Sequence, residues 1–197
     1  MPLSTIPCVL FAGGKSSRMG EDKAFLPFGG YDSLSQYQVE RLKKIFAKVY
    51  ISVKEPAKFS NIDCMVIEDI LYPDISAPTT GFLNILKQLK KANSFFVLSV
   101  DTPFVSENII SKLIEASQNL NYDAYIIRTP SGVHPLCGIY TRALEESIKM
   151  MMKKGEYKLM KLLESCNVHY EDIEDEESLL NLNTPEEYKR ALKLLKA

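Results

Sequence analysis

The sequence predicts an α/β fold: one domain over residues 1–197, in three layers, with helices on both faces of a mostly parallel central sheet. Three observations predict it. Short apolar runs alternate with helix-like stretches from one end of the chain to the other. One run, residues 95–100, is continuously apolar, as a strand covered on both sides by helices must be. No repeat, low-complexity tract or linker divides the 197 residues, a length that suits one core.

The elements follow in order. Residues 6–12 read as a buried strand that stops at Gly13-Gly14. Ser33-Leu34-Ser35-Gln36 reads as a capping box, opening a helix with an apolar stripe of Leu34, Tyr37, Leu42, Ile45 and Phe46. Residues 49–53 form a second strand, and residues 54–63, with Pro56 inside, a connection of no assigned type. Met65-Val66-Ile67 is a third strand, ending at Glu68-Asp69. Thr79 or Thr80 caps the next helix, with Phe82, Ile85, Leu86 and Leu89 inward. The run 95–100 is the fourth strand, central and parallel, and ends at Asp101. Ser106 caps a helix carrying Ile109, Ile110, Leu113 and Ile114. Residues 124–127 and 136–140 are further strands, 143–164 is largely helical with a break at Gly155, and 168–170 is a short strand. Thr184-Pro185-Glu186-Glu187 combines an N-cap, a proline at N1 and a glutamate at N3. The helix it opens places Tyr188, Ala191, Leu192 and Leu195 on one side.

Composition bounds the function. The hydrophobic fraction is 46%, the charged fraction 25% and the net charge −1, an ordinary soluble balance with no bulk electrostatic case for nucleic acid or a membrane surface. The four cysteines, Cys8, Cys64, Cys137 and Cys166, show no C-x-x-C spacing, and Cys8 and Cys137 sit in strand-like runs as buried free thiols. Met1-Pro2-Leu3-Ser4 lacks the basic start of a signal peptide, and no run reaches the ~20 apolar residues of a membrane span. A reducing cytoplasm is the expected compartment.

The chemistry concentrates after the first strand, in Leu10-Phe11-Ala12-Gly13-Gly14-Lys15-Ser16-Ser17-Arg18-Met19-Gly20-Glu21-Asp22-Lys23. Glycines let backbone N–H groups approach a bulky anion, and Arg18 and Lys23 add positive charge beside it. A Walker A loop is excluded because its first glycine would fall on Val9, and a dinucleotide fingerprint because Lys15 replaces its second glycine. The pattern Leu-x-Ala-Gly-Gly-x-Ser-x-Arg-Met-Gly-x-Asp-Lys resembles the signature loop of the nucleotidyltransferases, and among them that of the molybdenum cofactor guanylyltransferases. The resemblance runs from about Leu10 to Glu187 and implies a single three-layer Rossmann-like nucleotidyltransferase domain with a mostly parallel sheet.

In open α/β sheets, ligands bind beyond the carboxyl ends of the strands. Four strand ends place polar groups there: the Gly13-Gly14 loop, Ser52, Asp69 and Asp101. Read from the residues alone, Asp101 serves equally as a turn cap or as a carboxylate for the Mg²⁺ of a triphosphate. The resemblance favours metal, because the family carries a similar Asp-Thr-Pro-Phe segment whose Asp holds magnesium. Asp69 is either a turn residue or, as the resemblance implies, a nucleotide contact; its carboxylate would match the adjacent N1–H and N2–H₂ of guanine. Ser52 matches a position usually occupied by a longer polar residue. Ala77-Pro78-Thr79-Thr80-Gly81 keeps the family's Gly81 but departs at Ala77 and Thr79 from its Gly-Pro-Leu-x-Gly. Leu180-Asn181-Leu182-Asn183-Thr184-Pro185-Glu186 resembles the family's late Asn-x-Asn-Thr-Pro-Glu motif, which implies a role for Asn181 and Asn183 toward the second substrate. His134 reads as a polar residue at a strand start, His169 as a surface residue, and the acidic run 171–177 as a solvated loop.

The resemblance implies transfer of GMP from GTP to the phosphate of molybdopterin or Mo-molybdopterin, with release of pyrophosphate. Leu10, Phe11, Ala12, Gly13, Gly14, Lys23, Ser52, Asp69, Gly81 and Asp101 would bind the nucleotide. Arg18, Lys23 and Asp101 would act in catalysis, and Asp101 would hold Mg²⁺. Transient contacts with other cofactor-biosynthesis or acceptor proteins belong to the same expectation. The phosphate nucleophile is already anionic near neutral pH, so positioning and charge neutralisation suffice. A cytidylyltransferase of the same cofactor, a sugar-phosphate nucleotidyltransferase and a non-catalytic nucleotide-binding or carrier module are the alternatives.

Overall fold

The computed structural model describes residues 3–13, 22–72, 75, 77–119 and 121–196. Gly14 and Arg18 therefore lie outside the described residues, as do the other positions of the first loop from 15 to 21.

Among the described residues one sheet of seven strands runs through the molecule: β1 (Cys8–Phe11), β2 (Val49–Val53), β3 (Met65–Glu68), β4 (Ser94–Ser99), β5 (Ala124–Thr129), β6 (Gly132–Thr141) and β7 (Val168–Asp172). Their spatial order is β3-β2-β1-β4-β6-β5-β7. Strand β6 runs antiparallel to both neighbours, and the remaining pairings are parallel. The cause is local. Two residues, Pro130 and Ser131, separate β5 from β6, and so short a connection can only reverse the chain. Strand β4 is thus parallel to β1 as expected but antiparallel to β6, a correction to its reading as a purely parallel strand.

Helices α1 (Leu34–Leu42), α2 (Pro78–Gln88), α3 (Glu107–Ala116), α4 (Glu145–Lys153), α5 (Leu159–Glu164) and α6 (Pro185–Leu194) cover the sheet. Strand periodicity splits the core into two layers. Cys8, Leu10, Phe96, Leu98, Tyr125 and Ile127 pack with Leu42, Ile110, Leu113 and Ala191 on one face. Val9, Phe95, Val97, Ala124 and Ile126 pack with Phe82, Ile85, Ile148 and Leu162 on the other. Cys8 and Cys137 are buried free thiols, as expected. No described helix is long and apolar enough to cross a membrane.

Some boundaries shift. Ser33 caps α1, accepting from the Gln36 N–H at 3.1 Å, but Ile45 and Phe46 lie beyond its end and are buried from the following turn. The N-cap of α2 is Ala77, not Thr79 or Thr80. Pro78 occupies the first helical position, where a missing N–H costs nothing, so the helix begins before the threonines. Leu195 lies past the end of α6 and is exposed. Glu171 and Asp172 belong to β7, not to a loop.

The order places a crevice. From β1 the chain steps outward to β2 and β3, then crosses to β4 on the other side of β1. Parallel β1 and β4 therefore end side by side where the strand order reverses, the place at which open α/β sheets bind ligands. The C-terminal segment returns to this crevice. The Leu182 N–H donates to the Asp101 carbonyl at 2.8 Å, and the Tyr188 hydroxyl donates to the Pro27 carbonyl. Capping of α6 holds that segment. The Glu187 N–H donates to Thr184 Oγ1 at 3.2 Å, and Glu187 Oε2 accepts from the N–H groups of Asn183 and Thr184 at 2.7 and 2.8 Å. Thr184→Ala removes one arm of this box and is expected to lower unfolding stability by about 1 kcal/mol, read as a shifted urea midpoint with unchanged slope.

Candidate functional site

A cleft of about 450 Å³ opens at the carboxyl edge of the sheet. Each of the first four strands delivers wall residues. Ala12 and Gly13 follow β1; Ser52 and Val53 end β2, with Lys54 next; Asp69 follows β3; Ser99 ends β4 and Asp101 lies two residues on. The first turn of α2 closes one side with Ala77, Pro78 and Gly81, while Lys23 closes another.

Lys23 stands at the head of a short 3₁₀ helix, Lys23–Phe25, capped by Asp22, whose Oδ1 accepts from the Ala24 N–H at 3.1 Å. The ammonium donates to Asp101 Oδ2 and, at 2.9 Å, to Asn183 Oδ1. Three segments far apart in the chain thus meet at one amine. Asp101 is 8% exposed, and a buried carboxylate is costly without a paired charge. The Thr102 hydroxyl donates to the Ser99 carbonyl at 2.8 Å, while the Asp101 carboxylate accepts from Lys23 rather than from a backbone N–H of the turn. Asp101 Oδ1 is buried and has no hydrogen-bond partner among the described residues. An unpartnered carboxylate oxygen in a cleft wall is a hard donor suited to a cation. No cluster of three or more metal-ligating side chains occurs among the described residues, so such a cation would complete its shell with ligand oxygens and water.

Asp69 is held from α2. Asn84 Nδ2 donates to one carboxylate oxygen, and the Thr80 hydroxyl, 3.2 Å from the other, shares its proton between that oxygen and the Ala77 carbonyl at 2.7 Å. Asn84 is one helical turn beyond Thr80, so both reach the same group. Burial pushes the Asp69 pKa above the usual aspartate value, opposed by the Thr80 bond and the nearby Lys54 charge. The departure at Thr79 also finds a partner, since its buried hydroxyl donates to the Tyr157 carbonyl at 2.9 Å.

Gly81 has a packing reason. A Cβ there would lie 2.5 Å from the ring of Phe11, which itself lines the cleft and packs on Phe82. Gly13 differs: a Cβ would meet surrounding atoms at an ordinary 3.8 Å. Among the described residues nothing crowds position 13, so a ligand can approach its backbone closely. Leu10 does not reach the cleft; its side chain is fully buried in the core, because alternation along β1 turns it toward α1.

The late asparagines behave differently from each other. Asn183 bonds Lys23 at the cleft, whereas Asn181 Nδ2 donates to the Leu179 carbonyl at 3.4 Å. Both line a second hollow of about 350 Å³ with Ser131, His134, Glu176 and Arg190. His134 lies within β6, with its Nε2 2.9 Å from Thr129 Oγ1, and burial lowers its pKa. Sequence reasoning missed Lys54, Ser99, Leu136, Thr80 and Asn84. Ser99 and Lys54 carried a signal, a polar residue at or just past a strand end, and Thr80 and Asn84 another, a polar pair one turn apart on an apolar helix face.

The family model described as MobA-like NTP transferase domain matches residues 8–172. A molybdenum cofactor guanylyltransferase of Campylobacter jejuni is 41% identical over 96% of this chain and 97% of its own. A probable molybdenum cofactor guanylyltransferase of Aquifex aeolicus is 35% identical over 94% and 89%. The crystal structure of molybdopterin-guanine dinucleotide biosynthesis protein A from Archaeoglobus fulgidus superposes with a TM-score of 0.83 over 97% of this chain and 99% of that one, at 21% identity.

Gly81→Ala tests the packing of the cleft wall. Overpacking typically costs about 1–3 kcal/mol, while replacing a helical glycine returns up to about 1 kcal/mol. The Phe11 ring, held against Phe82, cannot yield freely, so a net loss of thermal stability is expected on calorimetry.

Proposed function

The chain belongs to the MobA-like NTP transferase domain family, and from that premise we propose that it transfers GMP from GTP to the terminal phosphate of molybdopterin, releasing pyrophosphate. A phosphate oxygen of the pterin attacks the α-phosphorus of GTP. The bond from the α-phosphorus to the bridging oxygen of the β-phosphate breaks, and pyrophosphate carries the electron pair away. The observation that carries this reading is the shared cleft: Lys23 and Asp101 meet in it, beside the backbone of Gly13.

Each residue has a physical task. Gly13, with the rest of its loop, brings backbone N–H groups to the phosphates. Lys23 neutralises charge on the departing pyrophosphate, as would Arg18 from the same loop. The Asp69 carboxylate, oriented by Thr80 and Asn84, accepts from guanine N1–H and N2–H₂, with Ser52 and Gly81 beside it in the wall. That donor–acceptor match favours guanine over cytosine, whose exocyclic amine adjoins a ring nitrogen without a proton. Asp101 would hold Mg²⁺ through its unpartnered Oδ1. Bound there, the ion would screen phosphate charge and orient the reacting groups. The second hollow, which shares Asn183 with the Lys23 contact, takes the pterin, and Asn181 offers it an amide. Acceptor proteins that receive the finished dinucleotide would dock only transiently.

Lys23→Ala and Asp101→Ala are each expected to cut pyrophosphate release by about 10²-fold or more; near-normal turnover in both would remove the mechanism. The raised pKa of Asp69 fixes a sign for pH. Below it the carboxyl is protonated and loses acceptor capacity, so GTP affinity falls on acidification at a pH above the ordinary aspartate range. Titration calorimetry at several pH values should show that fall in the native protein and a flatter profile in Asp69→Asn.

A further inference from the structure

Helix α1 reaches the turn that carries Asp101, and its polar residues take no part in the mechanism so far. One of them, Gln38, is fully buried. Its Nε2 donates to the Val100 carbonyl at 3.1 Å and to the Thr102 carbonyl at 3.0 Å, the residues on either side of Asp101. Its Oε1 accepts from Arg41 Nε at 2.9 Å, and Arg41 Nη1 donates to the Val105 carbonyl. Every polar capacity of this amide but one lone pair is therefore used, and in one orientation only. A flipped amide would face two carbonyl oxygens with a third and lose the Arg41 bond.

We propose that Gln38 is the positioning residue for the Asp101 carboxylate, setting it for the metal through the flanking backbone while touching neither metal nor substrate. The inference rests on the metal role assigned to Asp101 above. The turn 100–102 has buried carbonyls that no regular ladder satisfies, and leaving them unpaired is costly. Gln38 pairs two of them with donors on one rigid amide, which ties their separation and hence the direction of the Cα–Cβ bond between them. Leu182 pairs the Asp101 carbonyl itself from the C-terminal segment. Simple space-filling would not need an amide: methionine has nearly the same length and would suit the apolar core layer that α1 joins through Leu34, Val39 and Leu42. The polar choice thus points to the turn, and partners that orient a metal ligand commonly matter to metal affinity.

The test uses Gln38→Met, which keeps length and removes both donors, and Gln38→Glu, which keeps shape and replaces the donors by acceptor oxygens. Mn²⁺ serves as the probe. Its binding to the protein–GTP complex is measured by electron paramagnetic resonance, thermal unfolding reports folding, and GTP binding without metal reports the base-side contacts. Both variants are expected to bind Mn²⁺ about 10-fold more weakly, with metal-free GTP affinity within about twofold of native, since a loss confined to metal-dependent contacts leaves Asp69 alone. Folded variants with native Mn²⁺ affinity would overturn the proposal, as would equal losses in metal and metal-free GTP binding. If Gln38→Glu fails to fold, Gln38→Met decides; if neither folds, the amide serves folding and the proposal falls. Asp101→Asn separates this inference from the reading beneath it. Native Mn²⁺ affinity in that variant would remove the metal assignment itself, whereas a loss there without one in Gln38→Met would remove the positioning role alone.

Discussion

A carboxylate that is nearly buried has to be compensated, and the compensation of Asp101 organises the site. Water is almost excluded from it, and the Lys23 ammonium takes one of its oxygens. That pairing draws the segment after β1 onto the turn after β4. Asn183 joins the same amine and brings in the C-terminal segment, which the capping box of α6 holds in place. An isolated charge in this position would be worth several kcal/mol of destabilisation, so the three segments are committed to one another by electrostatics as much as by packing.

The sheet makes that commitment geometrically possible. With β1 between β2 and β4, the two segments that carry Lys23 and Asp101 leave adjacent strands in the same direction. The antiparallel β6 does not disturb this, because it lies beyond β4 and contributes Leu136 to the cleft wall. Layering on both faces then leaves the carboxyl edge as the place where polar groups can gather without entering the core.

Two departures from the family loop become intelligible at this level. Ala77 stands as the N-cap of α2 without offering a side-chain bond, and Pro78 supplies the preset backbone angle that starts the helix. Thr79 replaces an apolar residue in a fully buried position, and its hydroxyl is satisfied by the Tyr157 carbonyl. Thr80, which no motif distinguishes, shares Asp69 with Asn84. Thr80 and Asn84 thus form a bracket for the carboxylate opposite, and they displace no cap because the proline has already begun the helix.

Much of this was legible in the chain itself. Alternation of apolar runs with helical spacing determines the α/β class, and the strand ends mark Gly13, Ser52, Asp69 and Asp101, because residue type and local period are properties of short segments. The Thr184 cap and the break at Gly155 were local for the same reason. Tertiary structure alone decided that Lys23 pairs with Asp101, that Asn183 and not Asn181 joins them, that Leu10 turns inward, and that Gln38 grips the carbonyls on either side of the acid. These depend on which strands become neighbours and on where a returning C-terminal segment lands. Contacts between residues 62 to 160 positions apart are set by the packing of the whole sheet, and no window of sequence contains them.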